Sequence, residues 1–352
     1  MELESIWADY DLDKLQAGLD TLFPQYNISL ADLLQRLLQG DVIGAFSEFL
    51  QKSIAEMTKT TLGMKNVFVW LLVLGVVSAL MSHFVEVFDK HQVADLSFYV
   101  MYLLMSAILM KCFVQASQTA VETLENVVLF IRLLMPTYLL AVGVATGSIT
   151  AGAYYELLLV LIYGVEKILQ GIVIPLIYSH CLLSVINGVW IEEKLTLLIE
   201  FLEKAVGWIL KASLGVVTGI SLFQSILTPV LDSVKNSALQ KTISAIPGVG
   251  SAADGVVELL IGSAVVIKNS VGLVLLLLLL FLCAAPLVKI FIIAFLLKGA
   301  AAFMGIISDK RVTVCANRTG DAGLLLFKTA GTAMLLFLIS ISIVAITTNR
   351  GF

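Results

Sequence analysis

Residues 269–288 read NSVGLVLLLLLLFLCAAPLV, twenty positions without Asp, Glu, Lys or Arg. A helix needs about 20 residues to cross the ~30 Å hydrocarbon core of a bilayer, and lipid offers no partner to an unpaired backbone group. The run therefore reads as a membrane-spanning helix. Five more uncharged stretches have comparable length: 67–85, 133–155, 168–191, 212–231 and 329–349, of 19, 23, 24, 20 and 21 residues. A seventh, 96–110, stops at Lys111 after 15 residues. That lysine can snorkel and let the helix run on to Ala116. The expectation is an all-α, polytopic membrane helical bundle with six to eight spans after residue 65.

Composition agrees with that expectation. Of 352 residues, 59% are hydrophobic and 14% are charged, against roughly 25% charged in an ordinary soluble domain. Mean hydropathy is +0.99. So few charges could not cover so much apolar surface in water, which excludes a secreted globular enzyme and a disordered chain. Net charge is −4 and no basic block is present, so no nucleic-acid partner is expected.

The side chains that most often carry chemistry are sparse. Cys112, Cys181, Cys283 and Cys315 include no CxxC pair, and they read as small buried apolar residues. His83, Glu86 and Asp89 recur at i, i+3 and i+6, a spacing that fits either a metal site or, more simply, a wetted helix end. No phosphate-binding loop, HExxH or GxSxG occurs. No catalytic residue, cofactor or metal is assigned.

Two segments are too short or too broken to cross. One is 156–167, bounded by Glu156 and Lys167 with Glu166 beside it. The other is 242–267, rich in Gly, Ala and Ser around Ile246-Pro247-Gly248-Val249-Gly250. Proline removes a backbone donor and glycine loosens the chain. In a membrane such a stretch must be covered by protein or water. A discontinuous or re-entrant helix and a loop leading into a tilted helix both fit.

Residues 1–65 form a different region. Acidic residues from Asp9 to Glu56 are interleaved with leucines, and Leu33, Leu34, Leu37 and Leu38 make a helical stripe after a start at Ser29 and Asp32. This is a small amphipathic helical region outside the lipid, ahead of a membrane domain over 66–352. Met1-Glu2-Leu3-Glu4 has neither the basic nor the apolar part of a signal peptide. A second amphipathic stretch, 192–211, pairs Glu200 with Lys204 at i, i+4. It fits a helix lying in the interface plane or one packed along an oligomer wall.

An internal duplication shows in the rarest residues. Pro136 and Pro247, Pro175 and Pro286, and Gly188 and Gly299 are each 111 positions apart, in a chain with only six prolines. Lys211 and Lys328 continue the match at 117, after an insertion in the polar loop 308–321. The repeat-like units are about 132–231 and 243–349. In many transporters the working site lies between such repeats.

Charges near spans supply the remaining candidates. Arg132 precedes Pro136 at a span entrance and can pair with Glu156. A charge at the bilayer centre costs ~2.5–3.5 kcal/mol on the insertion scale, so it is normally paired or wetted. Lys268, Lys289 and Lys298 read as snorkelling lysines. The candidate polar and hinge residues are Arg132, Pro136, Glu156, Pro175, Pro247, Gly248, Gly250 and Pro286. Lys310, Arg311 and Arg318 make the most basic loop, which the positive-inside rule places in the cytoplasm.

The run Arg132-Leu133-Leu134-Met135-Pro136-Thr137-Tyr138, the Ile246–Gly250 turn and the amphipathic region before the first span resemble the stage III sporulation protein AE family of endospore-forming bacteria. The likeness extends over essentially the whole chain. It implies a multi-spanning protein of the mother-cell membrane around the forespore. Its partners would be the other proteins of the stage III sporulation A operon and a forespore membrane protein. Together they would form a channel or feeding apparatus for late forespore gene expression. Members of that family usually begin with a cleavable signal sequence. Two roles follow as expectations: a transport or channel component, with lipid and further copies of itself as neighbours, or a scaffold that anchors its partners without transporting anything. An intramembrane enzyme is the weakest reading, because no catalytic pair sits at matched spacing in two spans.

Overall fold

A computed structural model describes residues 12–22, 91–146, 160–161, 163–190, 194–243 and 250–347, with scattered positions between 44 and 80. The described residues are almost all helical, with turns at 188–190, 194–195 and 308–309 and no strand among them. The elements are α1 (Leu12–Leu22), α2 (His91–Thr146), α3 (Tyr163–Asn187), α4 (Thr196–Ile243), α5 (Gly250–Ile307) and α6 (Lys310–Thr347). Four helical stretches among the described residues are long and apolar enough to cross a membrane: Phe98–Leu133, Tyr163–Asn187, Gly272–Ile306 and Lys310–Ser342.

The helices are longer than the uncharged stretches that announce them. α2 has 56 residues, about 84 Å at 1.5 Å per residue, and carries both 96–110 and the start of 133–155. The charge pattern predicts two separate spans here. They join because 111–132 contains charges and amides but no Gly or Pro to stop a helix. In the same way 194–211 leads into α4, whose 48 residues take in the stretch 212–231. The amphipathic stretch and the apolar one are a single continuous helix, with Ile199, Leu202, Val206 and Leu210 packed inward. The Glu200–Lys204 pair forms at 3.9 Å. Residues 250–267 continue without a break into α5, and 310–321, polar enough to suggest a loop, opens α6.

α6 is the central helix: α2, α3, α4 and α5 all pack against it. α3 and α4 form one hairpin, α5 and α6 another. In the second hairpin Phe291 meets Phe327 at 5.5 Å between ring centroids, and Gly305 faces Thr313. α2 runs antiparallel to α3. Phe113 meets Tyr178 edge-on at 5.0 Å, and the Cys181 thiol lies 3.7 Å from the Met110 sulfur. The Tyr102 hydroxyl donates to the Val185 carbonyl at 2.6 Å, against Gly188, where any Cβ would collide with the tyrosine. Tyr102→Phe is expected to cost about 1 kcal/mol, the usual worth of one such hydrogen bond, and to lower the thermal midpoint of the purified protein slightly.

The apolar stretch 67–85 is described in part. Its described positions are helical, Phe68 meets the Phe303 ring edge-on at 6.3 Å, and Gly75 faces Met304. α1 packs on α2, with Gly18 against Leu133. The Leu33–Leu38 stripe and the residues His83, Glu86 and Asp89 lie outside the described residues. All four cysteines are buried and unpaired, in keeping with their apolar surroundings in the sequence.

The outward side chains are largely apolar: Leu103, Leu182, Phe201, Phe295, Phe303 and Ile306 are all exposed. Several buried ones are polar, among them His180, Asn187 and Thr319. An apolar exterior around a core that is itself mostly apolar, with a few polar side chains inside, is what a lipid solvent selects.

Candidate functional site

The polar interior centres on the first three turns of α6. Asp309 caps the helix: its Oδ1 accepts from the Arg311 backbone N–H at 2.8 Å. The Arg311 side chain folds back onto the same carboxylate at 3.2 Å and lies 3.6 Å over the Phe98 ring of α2. Further along, Asn317 and Asp321 face Lys298 of α5. The Lys298 ammonium sits 2.7 Å from Asp321 Oδ1 and donates to Asn317 Oδ1 at 3.2 Å. The pair is half-buried, at 34% and 26% side-chain exposure. Lys298 fits because residue 320 is glycine: a Cβ there would stand 2.6 Å from Lys298 Cγ.

On the other side of α6, Arg318 reaches the α3–α4 turn. Its Nη2 donates to Thr196 Oγ1 at 3.5 Å, and Thr196 also accepts from Asn187 Nδ2 at 3.3 Å. Asn187 Oδ1 accepts from the Leu195 backbone N–H at 2.8 Å, which closes the turn. His180 of α3 is 1% exposed, with Asp321 and Arg318 as the charged groups within electrostatic reach. Arg318 Nη1 and His180 Nδ1 are buried without a hydrogen-bond partner among the described residues. Unmatched buried groups are uncommon, and a bound water or ion is the usual way to satisfy them. Among the described residues no three metal-ligating side chains converge.

The sequence candidates fall elsewhere. Arg132 Nη2 lies 3.7 Å from Glu166 Oε2, at 57% and 21% side-chain exposure; the expected pairing with Glu156 falls outside the described residues. Glu156, Pro247 and Gly248 lie outside the described residues. Pro136 falls within α2, and Gly250 is the first residue of α5. Pro175 follows a π-helical segment, Leu169–Val173, in which the Ile174 N–H reaches back to the Leu169 carbonyl. In a regular α-helix the proline ring would clash with the carbonyl of residue 171, and Gly171 gives the chain the freedom to widen its ladder there. Pro286 has Leu282 at the matching position and sits inside α5, with α-helix on both sides.

The α6 cluster escapes sequence reasoning. Lys298 borders an apolar run as a snorkelling lysine would, but it is paired. Arg318 and Asp321 stand in a polar stretch that resembles a loop, yet they are helical. The signal available is the i, i+4 spacing of Asn317 and Asp321 together with the close glycines Gly320 and Gly323, which mark a helix face approached by another helix.

The family model for stage III sporulation protein AE matches residues 28–348 of this chain. A curated protein from Bacillus subtilis (strain 168), named stage III sporulation protein AE, is 21% identical over 347 residues, covering 97% of this chain and 87% of that protein. No solved structure matches.

Proposed function

This chain belongs to the stage III sporulation protein AE family, and we propose that it is the membrane component of a mother-cell-to-forespore channel or transport apparatus, with no catalytic step of its own. The observation that carries this reading is the polar cluster of Lys298, Asp321, Arg318 and His180, held half-buried to buried between α3, α5 and α6 in a bundle with many apolar side chains outside. Partly desolvated charges are costly to keep, which favours a use for them beyond anchoring partners. A conduit needs them to receive a polar solute. The partners in this reading are the other proteins of the stage III sporulation A operon and a forespore membrane protein, and the site of action is the mother-cell membrane around the forespore.

The test replaces Arg318 with glutamine and, separately, Arg132 with alanine, and measures spore yield beside the level of the protein in the membrane fraction. Glutamine removes the charge and, being two bonds shorter, also gives up the contact with Thr196 while keeping a polar amide on that face. We expect normal protein level and loss of spore development in both. Normal sporulation in both would favour the scaffold.

A further inference from the structure

We propose that Arg318 and His180 form a binding site for a compact, singly charged anion, such as chloride or formate, between α3 and α6. The proposal rests on the conduit reading above and names the chemical class of its solute. His180, Ser184 and Asn187 are all buried on α3. They stand at i, i+4 and i+7, so they share one helix face. α3 packs against α6, and Arg318 of α6 meets Asn187 through Thr196.

Most polar atoms along this seam are already spent. The Ser184 hydroxyl donates to the His180 carbonyl at 2.7 Å, and the buried Thr319 hydroxyl donates to the Cys315 carbonyl at 2.9 Å. The Asn187 amide is held by Leu195 and Thr196. Two nitrogens are left over. Arg318 Nη1 and His180 Nδ1 are buried without a hydrogen-bond partner, and His180 is 1% exposed. Both nitrogens can donate: a guanidinium nitrogen always does, and a neutral imidazole can carry its proton on Nδ1. What the seam lacks is an acceptor.

The charges give the sign of the occupant. Lys298 and Arg318 bring two positive charges and Asp321 one negative. Asp321 is committed to Lys298: its Oδ1 lies 2.7 Å from the ammonium, and the Asn317 amide stands 3.5 Å from its Oδ2. Arg318 makes no ion pair among the described residues. Its guanidinium does not lose its proton at physiological pH. A water molecule would satisfy the hydrogen bond and leave the cation uncompensated. An anion answers both needs. The excess is a single charge, so a monoanion balances it, and a second negative charge would only add repulsion from Asp321. Arg318 Nη2 stays on Thr196 at 3.5 Å, so the fork offers its other terminal nitrogen and a compact anion fits it.

The experiment uses the purified full chain in lipid nanodiscs, in sodium HEPES at constant sodium concentration, and follows the thermal midpoint as chloride, formate or sulfate replaces the buffer anion. A ligand that binds the folded state alone raises the midpoint with its concentration. We expect chloride and formate to raise the wild-type midpoint and Arg318→Gln to lose that rise. His180→Phe and Arg318→Lys should each need about tenfold more anion, the worth of one buried hydrogen bond to a charged group. Lys204→Gln, which removes an exposed cation paired with Glu200, should respond as the wild type does. No rise in the wild type overturns the proposal, because water or the chain itself then satisfies Arg318. An undiminished rise in Arg318→Gln overturns it as a general effect of salt. An Arg318-dependent rise as large with sulfate as with chloride overturns the choice of a monoanion. Glu192 and Glu193 lie outside the described residues and precede Lys194 in sequence. A rise that appears only in the double variant Glu192→Gln, Glu193→Gln overturns the proposal too, because a carboxylate of the chain then holds Arg318. Spore yield in Arg318→Gln is a separate readout. Anion binding with normal sporulation removes the conduit reading and keeps the site, and lost sporulation without anion binding does the reverse.

Discussion

Replacing Gly323 with leucine is expected to remove most of the folded protein from the membrane. α5 and α6 approach so closely at this point that a Cβ on residue 323 would lie 2.9 Å from Ala294 Cβ and 3.3 Å from its Cα. The second contact is backbone, which no rotamer change can relieve. Helices in lipid associate through van der Waals packing and small residues, since burial of apolar surface is no advantage there. Forcing them apart loosens the neighbours as well, because α6 is the helix on which the other four long helices pack. Overpacking of this kind costs roughly 1–3 kcal/mol even where the backbone can move. Gly320→Leu should behave alike, since a Cβ on residue 320 would lie 3.3 Å from the Lys298 backbone N. The matched control is Gly219→Leu in α4, where nothing lies within 4 Å. Membrane-fraction protein level and protease resistance are the measurements. Equal levels for Gly323→Leu and Gly219→Leu would mean that the α5–α6 contact is not as close as described.

The hairpin that these glycines hold together illustrates what is legible in the sequence and what is not. Uncharged runs of about 20 residues announce helices in lipid because backbone groups there have no alternative partner. That is why 168–191, 269–288 and 329–349 can be placed by eye. Helix ends are harder. Charges mark where a helix leaves lipid, not where it stops being helical, so Lys111, Lys211 and Lys328 lie inside helices and not at their ends. The interior cluster is hidden for a related reason. Lys298, Arg318 and Asp321 meet partners that stand far away in sequence, on other helices. Which charges meet is decided by how α5, α6 and α3 cross. Pro175 is legible as a hinge, because a missing donor four residues after Gly171 has a local consequence. Pro286 carries the same missing donor, yet it stays in α-helix where Leu282 replaces the glycine.

Asp321→Ala is expected to destabilise the protein more than Lys298→Met, and the double variant Lys298→Met, Asp321→Leu less than Asp321→Ala alone. Removing the carboxylate leaves the Lys298 ammonium with Asn317 as its remaining acceptor and with the Arg318 cation on the same helix as that acceptor. Breaking a fully buried pair costs ~3–5 kcal/mol. The exposure of this pair, 34% and 26%, admits some screening, so about 1–3 kcal/mol is the expected loss. Methionine keeps most of the length of the lysine stem beside Gly320 and removes its charge, and the stranded Asp321 still has the Asn317 amide 3.5 Å away. In the double variant both desolvation costs vanish together, which is why an apolar replacement of an ion pair is often neutral. Thermal midpoints of the wild type, Lys298→Met, Asp321→Leu and their double variant, read as a double-mutant cycle, give the coupling between the two charges, with Asp321→Ala measured beside them. The same variants divide structure from function. A double variant that regains stability and still fails to sporulate has lost something other than its fold, which is the outcome the conduit requires. A double variant that regains both would make the ion pair a fastener between two helices, and the functional reading would then rest on Arg318 and His180 alone.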